Sequence, residues 1–314
     1  MTELKTTPFQ QKMAVKFVKL LSGSSTGNPP WLDVVAEGDE AGMFLPSDAP
    51  WLVHNDMATL VGGIRALLLQ ALHPGSLAGV AQHSRYKVDA LGRLAGTIRW
   101  LTVTTYGSTT AVLGEASRVN RLHDRVNGEY TTGAGRREAY SARQTDLLRW
   151  VHIAFCDAFL TSHEMFSREP IPGGADNYVA QWARSVEPLG LDASTLPIEA
   201  EAMHAEIQQL IADGVLVSTP QTLEVVRFIR RPPLKPATRL AYWFLFQAAV
   251  QTLPLNIRKM LGVRALLPKV IIVPLVSSGL RGIRALIGDR SPIVEAALAR
   301  LGRAGVWPQA QVDA

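Results

Sequence analysis

Residues 140–167 read YSARQTDLLRWVHIAFCDAFLTSHEMFS, and Leu148, Val151, Phe155 and Phe159 recur there at steps of three and four residues. That is the stripe of one helix face, with His152 on it. The spacing predicts a long helix over 140–167. Thr145, just ahead of Asp146 and the apolar run, offers a local N-cap that would move its start. The same period recurs on both sides, over about 9–21, 48–72, 89–106, 111–127, 174–187, 198–213, 221–230, 237–252, 254–261, 264–284 and 291–302. Apolar/polar alternation with turn punctuation is almost absent. The expected fold class is all-α, a single globular domain of roughly ten helices.

Breakers set the boundaries. Residues 22–32, SGSSTGNPPWL, read as a loop, the run from Asp48 stops at Pro74, and Arg231-Pro-Pro-Leu-Lys-Pro236 is a clear break. The chain after that break is too apolar to stand alone. The expected division is an N-terminal helix and loop over 1–44, a main helical domain over 45–260, and C-terminal helices over 261–314 packed on the same core.

Composition narrows the classes. With 314 residues, 47% hydrophobic and 19% charged, the chain is too apolar for disorder and long enough for a sizeable core. Its single cysteine excludes a disulfide framework, a Cys-rich zinc module, an iron–sulfur cluster and a covalently tethered c-type haem. A formal charge of +5 is a mild bias rather than a nucleic-acid footprint, so no nucleic-acid partner is expected.

Residues 1–21 lack the apolar core and cleavage site of a secretory signal. Two apolar stretches, LAYWFLFQAAVQTLPL at 240–255 and VIIVPLVSSGL at 270–280, are too short for the ~20 residues of a span. Both are expected to be buried core helices. The expected location is cytoplasmic, with peripheral membrane contact at most.

Seven histidines remain as candidates: His54, His73, His83, His123, His152, His163 and His204. Three fall on apolar helix faces. His123 lies beside the Val119/Leu122/Val126 stripe, His152 on the stripe described above, and His73 closes a helix whose inner face is Leu60, Ile64, Leu67 and Leu68. Each alone reads as a core histidine bonded to a carbonyl or carboxylate. Three in one domain also suit an iron porphyrin, which needs a flat apolar slot and a nitrogen ligand.

Other chemistry is poorly supported. Glu201-x-x-His204 is a lone E-x-x-H where a di-iron bundle needs two, and it reads as a solvated helix face. Cys156 reads as a small core residue. No G-x-S-x-G, phosphate-binding loop or Rossmann fingerprint is present. Gly62-Gly63, inside a helical pattern, would permit close approach of another backbone or of a flat cofactor face.

Four ordered stretches, GGIRALLLQALHP at 62–74, HSRYKVDALGRLAGTIRWLTVTTYG at 83–107, VNRLHDRVNG at 119–128 and YSARQTDLLRWVHIAFCDAFL at 140–160, resemble a known family. It is the all-helical haem proteins of the MpaB-type oxygenase and latex-clearing (rubber oxygenase) group, and the likeness spans roughly 45–260. The resemblance implies a helical domain enclosing a noncovalent haem b, whose iron is held by one proximal histidine. The latex-clearing branch carries an R-x-x-K-T motif ahead of the ligating histidine. Arg93 and Thr97 match its Arg and Thr, and Leu122-His123-Asp-Arg-Val126 matches the ligand context.

His123 is therefore the implied iron ligand. His152, in Trp150-Val151-His152, is the alternative ligand or a distal group, and His73 is a further cofactor-pocket residue. Arg93 and Thr97, one turn apart, would hold a propionate or a polar substrate group, while Arg99 marks an exposed basic face of the same helix. Gly96 stands where the rubber-cleaving branch has lysine, which argues against rubber cleavage and for a compact substrate.

The leading expectation is thus a haem-dependent oxygenase or peroxidase-like oxidoreductase. It would act on a small apolar, unsaturated substrate with O₂ or peroxide, with an external electron donor compatible with the O₂ reading. The alternatives are a non-catalytic haem protein (bis-histidine redox, sensor or carrier) and a cofactor-free binder of apolar ligands or membrane surfaces. A homo-oligomer is compatible with all of them.

Overall fold

A computed structural model describes residues 7–22, 28–83, 90–288 and 291–307, with the side chains of Pro8, 20–22, 90–94 and Ala237 outside the description. The fold is all-α, with fifteen α-helices and one two-stranded hairpin among the described residues. In chain order the first helices are α1 (Pro8–Ser22), α2 (Leu32–Ala36), α3 (Ala49–Asn55), α4 (Thr59–Gln70), α5 (Pro74–His83), α6 (Ala90–Tyr106) and α7 (Thr109–His123). A hairpin, β1 (Asn127–Thr131) and β2 (Arg137–Ser141), leads into α8 (Thr145–Phe166). Then come α9 (Gly174–Ala183), 3₁₀ turns at Arg184–Leu189 and Ala193–Thr195, α10 (Ala200–Ala212), α11 (Pro220–Arg230) and α12 (Pro236–Thr252). The last elements are α13 (Leu255–Met260), α14 (Lys269–Ile287) and α15 (Pro292–Arg303).

The decisive helix, α8, is the axis of the fold. Its stretch Ile153, Ala154, Cys156, Asp157, Ala158, Phe159 and Leu160 is buried on all sides, because α4, α9, α10, α12 and α14 all pack on it. The closest partner is α4, and Gly62 makes that possible. A Cβ there would lie 3.1 Å from the Ala158 carbonyl oxygen and 3.3 Å from the Phe159 Cα. Close backbone approach is the use found for Gly62, whereas a Cβ at Gly63 would meet nothing within 4 Å. Burial drives the Cys156 thiol upward, so it stays protonated as a core residue.

A second apolar cluster joins Trp31, Val35, Trp51, Val103 and Tyr106 to Ile293, Ala297 and Leu301 of α15. Through it runs the fully buried Arg300, whose guanidinium donates to the carbonyls of Val35 (3.3 Å), Tyr106 (2.9 Å) and Glu40.

Several boundaries differ from the sequence expectation. The single run over 48–72 is two helices. Between them Asp56 accepts from the Ala58 amide (2.6 Å) and the Thr59 hydroxyl donates to the Asp56 carbonyl (2.7 Å), a local alternative to the helix ladder. Pro74 begins α5 as well as ending a helix, since its missing N–H costs nothing in the first turn. The helix expected to reach 127 ends at His123, and 127–141 form the hairpin, paired from Asn127↔Ser141 to Thr131↔Arg137. Its turn closes with Thr132 N–H to Arg136 O (2.8 Å) and Gly135 at φ +79°. Consequently α8 starts at Thr145, and Gln144 rather than Thr145 stands at its N-cap, with no side-chain cap bond.

The 270–280 stretch also differs. It lies in a 19-residue helix, α14, long and apolar enough by length and composition to cross a membrane, yet little of it is buried. Ile272, Val276 and Leu280 are buried and Val273 packs against the core, while Val270 is 81% exposed.

Candidate functional site

The hairpin folds the chain back, so the residues just after α7 meet those just before α8 in a seam between Val126 and Ala142. Ala142 N–H donates to the Val126 carbonyl (2.9 Å), and Arg143 Nε lies 3.7 Å from Asp124 Oδ1. The 3₁₀ turn at Arg184–Leu189 seals the seam from one side. Asn120 of α7 donates to its Pro188 carbonyl (3.5 Å), and Leu148 of α8 packs on Val186 and Leu191. On the other side α5 covers the hairpin: Ala78, Tyr140 and Leu147 form a small buried cluster with Val126 and Tyr130.

Three buried polar atoms of α7 and α8 lack partners among the described residues. His123 Nδ1, Asn120 Oδ1 and Trp150 Nε1 are all buried, and none has a hydrogen-bond partner. Buried polar atoms are paired in the great majority of cases, so the orphaned imidazole nitrogen of His123 is available to a ligand. His152 is 7% exposed and makes no hydrogen bond among the described residues. Burial, aided by the nearby Arg149 charge, pulls it down to about 3, so it is a neutral imidazole at physiological pH. Burial likewise lowers His123, with Arg143 adding to it and Asp124 opposing. Two neutral imidazoles are the donor chemistry an iron or other borderline metal takes. The residues present fit a haem.

The remaining sequence candidates are placed as follows. His73 is buried and its Nδ1 accepts from the amides of Gly75 (3.2 Å) and Ser76 (3.4 Å), so it caps α5. The proton then sits on Nε2, and the ring flanks Trp150 at 6.5 Å between centroids. Arg93 falls within α6, but its side chain lies outside the described residues. Thr97 is half-buried on the same helix, and a Cβ at Gly96 would meet nothing within 4 Å. Leu122 is 48% exposed, so the stripe beside His123 is not a continuous apolar wall.

Two expectations are overturned outright. Arg99 is not on a solvated face. Its Nε donates to Glu115 Oε2 at 2.8 Å, and Arg118 holds the same buried carboxylate. Burial would raise Glu115, but the two guanidiniums outweigh it and keep it ionised below its ordinary value. Nor is His204 merely solvated, since its Nε2 lies 3.1 Å from Asp157 Oδ1.

Sequence reasoning missed the centre of that second cluster, Arg65 and Asp157. Arg65 Nε and Nη2 donate to Asp157 Oδ2 at 2.9 and 2.7 Å, and Nη1 to Thr252 at 3.0 Å. Both are almost wholly buried. Their signal was available, because each is a lone charge inside an otherwise apolar helical stretch. His54 was also passed over. Its two nitrogens bond Thr105 (2.8 Å) and Tyr178 (3.0 Å), which makes it a satisfied core histidine.

The described elements form an all-helical domain built around one central helix, α8. The family described as "ER-bound oxygenase mpaB/B'/Rubber oxygenase, catalytic domain" matches residues 51–285. The chain belongs to this family, and so carries an oxygenase catalytic domain. No curated protein and no solved structure matches it.

Proposed function

We propose that this protein is a haem b-dependent oxygenase that oxidises a compact apolar, unsaturated substrate with O₂ or peroxide, taking electrons from an external donor where O₂ is used. The observation that carries the reading is the buried, unpartnered His123 Nδ1, at the position that resembles the family's iron ligand. His123 would hold the metal. His152, neutral and without a hydrogen-bond partner among the described residues, would face the reacting side, and His73 would form part of the pocket wall beside Trp150. Arg93 and Thr97, a turn apart on α6, would bind a propionate or a polar substrate group. When bound, the haem would supply an iron centre that activates the oxidant.

The chain's own part is to exclude water, orient the substrate and keep both imidazoles neutral, which the burial of α8 supports. The space beside Gly96 supports access for a small molecule in place of the lysine of the rubber-cleaving branch. Polyisoprene cleavage is not expected.

The test is the absorption spectrum of protein expressed with ample haem, before and after His123→Ala and His152→Ala. A Soret band from acid-extractable haem, lost in His123→Ala and shifted by cyanide or CO in the parent, is the expected result. A colourless protein that binds no added hemin refutes the reading. The availability of His152 favours one second reading, a non-catalytic bis-histidine haem protein. It would give a six-coordinate low-spin spectrum indifferent to CO and cyanide.

A further inference from the structure

From residue 225 to residue 288 the chain holds eleven Lys and Arg and no Asp or Glu. Nine of the eleven are exposed, and among the described residues none is in an ion pair. The same segment holds the densest group of exposed large apolar side chains. Leu266, Val270, Ile271 and Leu275 are 55%, 81%, 50% and 47% exposed within ten residues, with Arg264 and Lys269 between and beside them. Exposed apolar residues scattered singly need no explanation, but a contiguous patch rimmed by one sign of charge does.

α14 cannot leave the body to span a bilayer without breaking the fold. Ile272, Val276 and Leu280 belong to the main core, and Ser277 donates to the Phe166 carbonyl of α8 at 3.1 Å. α1 also packs on α14, with Gln10 donating to the Ala285 carbonyl near its C-terminal end (3.0 Å), so what remains uncovered is the apolar start of the helix.

We propose that the start of α14 and the segment leading into it form a docking surface for an anionic lipid bilayer, with Leu266, Val270, Ile271 and Leu275 entering the headgroup boundary. Charge complementarity selects this occupant. An interfacial helix needs an apolar face together with basic residues that meet anionic headgroups, whereas a second copy of this chain would bring the same uncompensated positive charge to the contact. The surface is separate from the histidine seam and does not depend on the haem reading.

The experiment is co-sedimentation of the full chain with vesicles of phosphatidylcholine alone or with about one-third phosphatidylserine. Binding to the anionic vesicles, weakened by salt and far weaker on the neutral ones, is expected. Val270→Glu/Leu275→Glu should lose at least tenfold in partitioning. Arg264→Gln/Lys269→Gln should lose about fivefold for each charge that reaches the surface. Leu113→Glu, at an exposed apolar position on α7, should bind like the parent, and circular dichroism checks that each variant is folded. No binding to anionic vesicles overturns the proposal, as does equal binding by the α14 variants. A concentration-dependent dimer that Val270→Glu/Leu275→Glu dissolves, with no vesicle binding, assigns the face to self-association instead.

Discussion

Alanine at Gly63 should stabilise the protein and alanine at Gly62 should not, although the two residues are neighbours in one helix. Replacing a helix-interior glycine with alanine gains about 0.8–1 kcal/mol from propensity, wherever nothing obstructs the new methyl. At Gly63 a Cβ meets nothing within 4 Å, so the full gain of about 1 kcal/mol is expected there. At Gly62 the new methyl lies 2.7 Å from Phe159 Cδ1, 3.1 Å from the Ala158 carbonyl oxygen and 3.3 Å from the Phe159 Cα.

The phenyl ring cannot simply swing away, because it packs on His54 and Phe155 at centroid distances of 5.3 and 5.7 Å. The two backbone atoms cannot move without shifting α8. Overpacking of this kind costs about 1–3 kcal/mol, which offsets the propensity gain and leaves Gly62→Ala neutral to about 2 kcal/mol less stable. The difference between the variants, about 1–3 kcal/mol, isolates the packing because propensity and unfolded-chain entropy cancel. Urea unfolding followed by far-ultraviolet circular dichroism measures it. Equal shifts in both variants would refute the close approach of α4 to α8.

Asp157→Ala strands the Arg65 guanidinium in the core with only Thr252, and should destabilise by about 3–5 kcal/mol. Arg65→Met/Asp157→Leu should recover most of that loss, and denaturant midpoints compare the two. Glu115→Ala removes the carboxylate that Arg99 and Arg118 share between α6 and α7. Since both arginines are partly exposed and can rehydrate, the loss should be about 1–3 kcal/mol by the same measurement. The bond to Asp157 raises His204, against its partial burial, above its ordinary 6.5. Its contribution is therefore complete below pH 6.5 and fades as pH rises through the raised value. A stability difference between parent and His204→Ala that grows from pH 6 to pH 9 would contradict that sign. Arg300→Met leaves the Val35, Glu40 and Tyr106 carbonyls without their donor, so thermal unfolding should show α15 detaching at a lower temperature.

The helices themselves were legible in the sequence, because a period of 3.6 and a set of proline and glycine breakers are local properties. Pro74 and the 232–236 break lie where elements begin or end for that reason. The hairpin was not legible. Its strands are five residues each and largely exposed, so their alternation rests mainly on Tyr130 and Tyr140, and their pairing is stabilised by α5 rather than by their own propensity. His123 and His152 could be singled out as imidazoles on helix faces. The hairpin between their helices, which brings Val126 to Ala142, depends on tertiary contact.

Periodicity says which residues share a face but not what covers it. Arg99 shares its helix with Arg93 and was read as solvated, yet α7 brings a buried carboxylate to it. His73 closes its helix in the sequence, and only the structure shows the first turn of α5 using its Nδ1 as a cap. α14 has the composition of a core helix, but the body fully buries only Ile272, Val276 and Leu280 of it. Burial and pairing are properties of the neighbours, which lie far away in sequence, and only their docking decided them.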